Sequence, residues 1–502
     1  MEVFALGRKS VELGSDFQFG YLQDRRPRQI GRAAGGSVSR DELYLKLLLI
    51  AIFLPEGLSF FVGDFRLSAA RVMILFSSIV ALARLSQRMS TREYACIPSD
   101  ILAPAAGAWM MLAATITDGL AGLKGAGIEV VEFVGAYLTF RFLLGSPDSA
   151  VRVLRFSCKL MIVVVCVALI DPLYDKLFTY EFVKGITGYT KPSYESALAS
   201  RAESLFRDGV IRAMGPLEHS ILFGAVCVWF GVLAFSVFRS GLFGWSVAGI
   251  ALVGILFSQA RSPLLGYVIG VALAVLYATT PGFTTRWKLV GSFVAVALVA
   301  IFSFSGSPIA TLVRLSGVSA ESGWYRQAIW DTAVPVVLSS PLFGIGLNGD
   351  WNWQSHGGLV SASLDSFWLS AALMYGIPGS LLVFLTIVSA FWLGPIDRSP
   401  HLSLEERRLS VALGLVTTTA VVLGFIVHFW GTCWILLAVF GGMRANLAET
   451  AIMRDRAARR AEAEPIALSE AFGFDVLRAR GSHDGRRSRW RGVHAQSDGN
   501  PR

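Results

Sequence analysis

"LSVALGLVTTTAVVLGFIVHFWGTCWILLAVFGGM" runs from residue 409 to 443 without one Lys, Arg, Asp or Glu. A straight helix rising 1.5 Å per residue would carry it about 50 Å, well beyond the ~30 Å of bilayer hydrocarbon. The run therefore reads as two short membrane spans parted at "HFWG" (428–431). Working outward, further spans of roughly 20 mainly apolar residues fall at 44–63, 69–86, 101–117, 127–145, 154–172, 217–238, 243–259, 263–280, 288–305 and 364–393. The expected fold class is an all-α, polytopic integral membrane protein with about 12 transmembrane helices.

Composition agrees. Of 502 residues, 54% are hydrophobic and 16% charged, with mean hydropathy +0.56; soluble domains carry roughly 25% charged residues. Net charge is +9, but the basic residues crowd the ends and certain loops, a topology signal before a nucleic-acid one. The five cysteines (96, 158, 166, 227, 433) show no CxxC or metal-ligand spacing, so neither a disulfide framework nor a metal site is expected. No cofactor is expected either. The first long apolar run follows about forty polar, Arg-rich residues and should insert as a true span.

Orientation follows from basic residues in short loops. Arg25, Arg26, Arg28, Arg32 and Arg40 precede the first span. Arg84, Arg88 and Arg92, then Arg152 and Arg155, Arg239, Arg286 and Lys288, Arg398, Arg407 and Arg408, and the tail from Arg444 onward all fall on one side of a twelve-span chain. That side is expected to be cytoplasmic, with both termini inside, and the split at 428–431 keeps the tail there. The expected organisation is an Arg-rich cytoplasmic segment 1–42, a transmembrane domain 43–446 and a basic, largely disordered tail 447–502. Long outward loops near 173–216 and 306–363 follow. No internal repeat is visible.

Arginines on the outer side are exceptions to the charge rule. Arg212 closes the first long loop, Arg261 sits in the tight turn "SQARSP" (258–263), and Arg326 lies in "SGWYRQAIW" (322–330). A planar guanidinium that never deprotonates suits phosphate, so three of them at one mouth would form a site for a lipid-linked pyrophosphate. The competing role for each is to anchor a helix end at lipid headgroups. His219 reads as a general base or a helix-end hydrogen-bond partner, the latter favoured. Glu218, beside it, would favour the N-terminal dipole of its span. His356, with Trp351 and Trp353 in "WNWQSHGG" (351–358), could serve a sugar site, although Trp also belts membrane interfaces. Asp365 is either a base or an N-cap. Glu129 and Glu132 lie one helical turn apart near the outer end of the fourth span, where intramembrane carboxylates are functional candidates.

Four blocks now carry a resemblance. "RAMGPLEHSILFG" (212–224), "SQARSPLLG" (258–266), "YRQAIWDTAVPVVLSSPLFGIGL" (325–347) and "LDSFWLSAALMYGIPG" (364–379) resemble, in order, motifs of the O-antigen ligase/polymerase superfamily, and within it the exopolysaccharide repeat-unit polymerases. The resemblance covers about 205–395; the N-terminal third matches only as generic spans. It implies a metal-independent, GT-C-like membrane glycosyltransferase. Such an enzyme of the bacterial inner membrane polymerises undecaprenyl-pyrophosphate-linked repeats at the periplasmic face. Donor and acceptor would both be lipid-linked, with membrane lipids, a flippase and a chain-length co-polymerase as further partners and no nucleic acid. The family's phosphate-binding arginines carry over to Arg212, Arg261 and Arg326. Two departures stand out: His219-Ser220 replaces His-Pro, and Asp365-Ser366 replaces the ligases' His-Asn. The second argues against ligase chemistry and leaves the base open between Asp365, His356 and none. Two alternatives remain: a ligase moving finished glycan onto lipid A-core, and a lipid-linked sugar transporter or flippase. The transporter lacks support, since no paired broken segments appear.

Overall fold

A computed structural model describes residues 39–63, 65–281, 283, 285–306, 311, 320–351, 354, 364–392 and 402–471. After α1 (Arg40–Ile52) come a two-stranded hairpin, β1 (Ser59–Val62) with β2 (Phe65–Ser68), and α2 (Ala69–Ser90). Then follow α3 (Pro98–Val130), a π-turn at Val131–Gly135, α4 (Ala136–Leu143), α5 (Pro147–Ala168) and α6 (Ile170–Tyr174). The next segment holds α7 (Phe178–Thr187), α8 (Pro192–Ser200) and a second small hairpin, β3 (Phe206–Arg207) with β4 (Val210–Ile211). The remaining helices are α9 (Ser220–Phe238), α10 (Leu242–Ser258), α11 (Arg261–Thr279), α12 (Arg286–Phe304), α13 (Ala320–Ser339), α14 (Phe367–Trp392), α15 (Leu404–Leu423) and α16 (Thr432–Ala471).

Among the described residues, eight helices are long and apolar enough to cross a membrane. Twelve were expected, and the shortfall has identifiable causes. α1 is only 13 residues long; the chain leaves the helix at Ile52 and turns into the β1–β2 hairpin, so the span expected over 44–63 is not one continuous helix. α10 has 17 residues. α15 opens on the charged turn Glu405, Glu406, Arg407, Arg408. Pro98–Leu143 counts as one long helix, yet it folds back. At Gly119 the backbone takes φ 61°, ψ −139°, a left-handed value that favours glycine. Beyond it the two arms touch: a Cβ on Gly107 would lie 3.0 Å from Val130 and Val134 side-chain carbons, and Ser99 Oγ is 2.7 Å from Tyr137 Oη. In a straight helix residues 107 and 130 would stand about 35 Å apart. These arms are the spans expected at 101–117 and 127–145.

The candidate span at 364–393 is kinked. Phe367–Trp392 is not one straight helix. α14 reverses at Gly376 (φ 73°, ψ 174°), where a Cβ would fall 2.1 Å from the Leu342 carbonyl. Ser380 Oγ donates to the Trp368 carbonyl at 3.0 Å, and the Trp368 and Phe384 rings are 5.2 Å apart. The short arm Phe367–Tyr375 thus packs against the longer one. By contrast, the break read at 428–431 lies where α15 and α16 part. α16 continues to Ala471, past the boundary expected at 446.

α9 is the central helix. Nearly every residue from Ser220 to Phe238 is buried, which matches its apolar character on all faces; α10, α11 and α15 surround it. α12 is the opposite case, apolar but without one buried residue, as a helix facing lipid would be.

The helix ends sort into two groups. At one end, that of the C-terminal helix's charged half, ionised side chains pair across elements. Arg141, fully buried, gives its Nε and Nη2 to Asp100 (2.9 and 3.0 Å) and its Nη1 to Glu449 (2.6 Å). Arg88 adds a 3.1 Å bridge to Glu449. Glu42 takes Lys46 and Arg152, Asp41 takes Arg84, and Glu406 takes Arg454 through two bonds. Losing one partner of a buried pair leaves a charge stranded, at roughly 3–5 kcal/mol. Arg141→Ala should therefore strongly lower the melting temperature of detergent-purified protein, read by tryptophan fluorescence; an unchanged melt would show that Arg141 does not hold the hairpin to α16.

Candidate anion site at the opposite end

The opposite end gathers the arginines expected on the outer side around one turn. α10 stops at Ser258 because Gln259 enters the left-handed region (φ 50°), and Ser258 Oγ caps the turn by accepting from Ala260 N–H at 3.2 Å. α11 restarts at once with Arg261. So tight a turn leaves backbone carbonyls without helical partners, and arginines supply them. Arg212 Nε donates to the Ser258 carbonyl at 3.0 Å. Arg207 Nη1 donates to the Gln259 carbonyl at 2.7 Å. Arg326, on α13, donates through Nη2 to Ser262 Oγ at 2.7 Å. The Ala213 N–H adds a bond to the Phe257 carbonyl at 3.0 Å.

Asp171 sets the loop that delivers Arg207 and Arg212. Its Oδ2 accepts from the Met214 and Gly215 N–H groups (3.1 and 2.8 Å) and its Oδ1 from Phe178 N–H (3.0 Å). The start and the end of the long segment are tied there. Leu177, Tyr180, Tyr194, Leu205, Phe206, Ile211 and Met214 form a small apolar core beneath the segment, so its arginines stand on a folded platform.

Arg212 is 4% exposed and reaches the Glu203 and Ser204 carbonyls as well (3.4 and 3.3 Å). Burial and the nearby Arg207 charge pull it down to about 10, so it stays protonated at neutral pH. Arg261 is exposed and has no hydrogen bond or ion pair among the described residues. Arg326 is half-buried, and desolvation lowers its pKa while Asp365 opposes that. Asp365 precedes the short arm of α14, where burial raises its carboxyl against the pull of Arg326 and Arg212. The capping role does not belong to it: Ser366 Oγ accepts from Leu369 N–H at 3.4 Å.

His219 caps α9, its Nδ1 accepting from Ile221 N–H at 3.1 Å. Burial and the charges of Arg212 and Lys191 push it down to about 3, so the ring is neutral, a positioning group. Trp351 is buried against Ile329, Ala333, Leu369 and Leu373, a packing position that joins α13 to the short arm. Trp353 and His356 lie outside the described residues. Arg207 and Ser262 escaped the sequence reading. Ser262 is adjacent to Arg261 and could have been flagged; nothing in the sequence ties Arg207 to a turn fifty residues away. The arrangement concentrates four guanidinium groups and one carboxylate around five residues, an electrostatic setting for an anion with several oxygens.

Residues 246–384 match the family model described as O-antigen ligase. The match spans Arg261, Arg326 and Asp365, and it supports membership of the O-antigen ligase/polymerase superfamily. No curated protein matches the chain significantly. Members of this family are glycosyltransferase-like enzymes, ligases or polymerases, that work on lipid-linked glycans. With the apolar helices, the match supports a membrane protein related to O-antigen-type polysaccharide biosynthesis.

Arg212 and Arg261 should separate in experiment. Hydrogen bonds from a charged group are worth about 1.5–3 kcal/mol each, so Arg212→Ala should clearly destabilise the detergent-purified protein. Arg261→Ala should melt like the wild type. Equal melting of all three proteins would exclude the stapling role of Arg212.

Proposed function

We propose that the chain polymerises undecaprenyl-pyrophosphate-linked oligosaccharide repeats, with the arginine end facing the periplasm and both termini in the cytoplasm. The convergence of Arg207, Arg212 and Arg326 on the turn that carries Arg261, with Asp365 alongside, is the observation that carries this reading. A hydroxyl oxygen of one lipid-linked glycan attacks the anomeric carbon of another. The bond from that carbon to the pyrophosphate oxygen breaks, and the undecaprenyl pyrophosphate leaves with the electron pair. Negative charge grows on the leaving group, where preorganised cations stabilise it most. Arg261 and Arg326 take the pyrophosphate, Arg212 and Arg207 hold the turn in shape, and Asp365 accepts the hydroxyl proton. Metal independence follows in this reading from the guanidinium charge at the leaving group.

The ligase alternative has one observation in its favour, the description of the matching family. Asp365-Ser366 in place of the ligases' His-Asn favours the polymerase. The lipid-linked intermediates of a deletion strain decide between them. Single repeats should accumulate without a polymerase, and full-length unattached chains without a ligase.

Removing a preorganised charge contact should cost ~10²–10³ in rate. Arg261→Ala and Arg326→Ala should therefore abolish polymer on glycan size analysis while the protein still inserts, and Arg261→Lys should be poor because the fork is lost. Wild-type polymer from both alanine variants would sink the pyrophosphate site. A base must be ionised to act. Polymerisation should thus fall as pH drops through an Asp365 midpoint above the ordinary ~3.9, and Asp365→Asn should lose about 10²-fold together with that pH limb. An unchanged acid limb in Asp365→Asn would remove the base assignment.

A further inference from the structure

A second polar site adjoins the arginine turn and is separate from it. A cavity of about 310 Å³ lies among the end of α1, the start of α2, the second arm of the α3 hairpin, the short arm of α14 and the 428–435 segment. That size sits at the lower end of small-ligand pockets, roughly 300–1,000 Å³. Its cations are already matched: Arg71 Nε is 2.7 Å from Glu132, and Glu56 is held by Arg66 and by Lys191 (2.5 and 3.0 Å). Two further carboxylates face the cavity with no cationic partner among the described residues. Glu129 accepts from Tyr375 Oη at 2.7 Å. Glu218 Oε1 accepts from the Thr432 N–H and hydroxyl (2.9 and 3.1 Å), while its Oε2 is buried with no hydrogen-bond partner among the described residues.

Aromatic surface completes the wall. Trp430 and Trp434 line the cavity with His428; the Trp430 ring stands edge-on to both His428 (5.3 Å) and His219 (6.1 Å). His219 in turn feels the Arg212 charge. Carboxyl oxygens accept hydroxyl donors, a carboxylate on the ligand would be buried beside cations that are already paired, and an aromatic face suits the C–H side of a sugar ring. Between them they describe a neutral, hydroxyl-rich ligand and exclude a carboxylated one.

We infer that this cavity binds the terminal sugar of the acceptor glycan as an uncharged hexose, with Glu218 and Glu129 taking its hydroxyls and Trp430 its ring face. This rests on the polymerase reading for the word acceptor; the preference for a neutral sugar rests on the cavity alone. It also gives Glu129 and Glu218 a use that the pyrophosphate chemistry leaves unfilled.

The test uses the full chain in amphipol, with octyl glucoside and octyl glucuronide as probes, read by saturation-transfer NMR. The glucoside should bind and the glucuronide should not. Glu218→Gln keeps an acceptor for Thr432 but turns one oxygen into a donor, and should weaken glucoside binding about tenfold, the value of one charged hydrogen bond. Trp430→Ala should weaken it similarly; should either variant melt early, Tyr375→Phe, which frees Glu129, provides the second reading. Glucuronide binding as well as the glucoside, octylammonium displacing the glucoside at lower concentration, or equal glucoside binding by wild type and variants would each overturn the inference. Arg261→Ala should bind the glucoside normally while making no polymer. Glucoside binding with normal polymer from Arg261→Ala would leave the cavity standing and remove the pyrophosphate reading; the reverse pattern would remove the cavity alone.

Discussion

Arg141 is an ionised side chain with no access to solvent, and much of the architecture is arranged so that it can be there. An isolated guanidinium in a low-dielectric interior is costly, and two carboxylates from distant chain segments answer it: Asp100 from the start of the α3 hairpin and Glu449 from the long C-terminal helix. Tyr137 donates to the same Asp100 oxygen that Arg141 Nε meets. Moving either carboxylate would leave the buried cation with only part of its partners. The hairpin's two arms and α16 are thus fixed at one end, and the opposite end, where the arms meet the cavity, inherits its geometry from that fixed point. Apolar packing alone would not choose one register among helices whose faces are uniformly oily; a buried charge with two required partners does.

The two ends use arginine differently. Near α16 the guanidinium groups meet carboxylates and are neutralised. Around the 258–262 turn, Arg207 and Arg212 meet backbone carbonyl oxygens, which satisfy donors without cancelling charge, and Arg326 meets the Ser262 hydroxyl. Among the described residues, the Asp365 carboxylate pulls on both Arg212 and Arg326 there. The turn therefore keeps a net positive field while its hydrogen bonds are largely met, a combination that stabilises the empty protein and still favours an incoming anion.

Much of this was legible in the sequence because bilayer thickness is a ruler. The 409–443 run had to break, and it breaks beside His428; α2, α9, α11 and α12 fall close to their expected positions because apolar length is what places them. The α14 reversal was harder. "GIPG" (376–379) held the necessary glycine and proline, but the apolar run continues through it, so length favoured one long span. Short arms packed against other helices need not cross anything, and hydropathy does not distinguish them. Among the candidate site residues, Arg212, Arg261 and Arg326 stood out because the expected topology puts them on the side where the charge rule allows few cations. Arg207 did not, since its partner is a backbone carbonyl that only the folded turn exposes. Arg141 was concealed by its apolar neighbours, although a cation within a span always implies a partner. Asp365 kept both of its possible roles until the structure gave the cap to Ser366.

α12, with no buried residue, contributes little to holding its neighbours by packing. Its effect is that of a leash. It ties α13 to α11, so Arg326 is never far from Ser262 even when their hydrogen bond opens. The encounter is intramolecular, and its effective concentration is set by chain length.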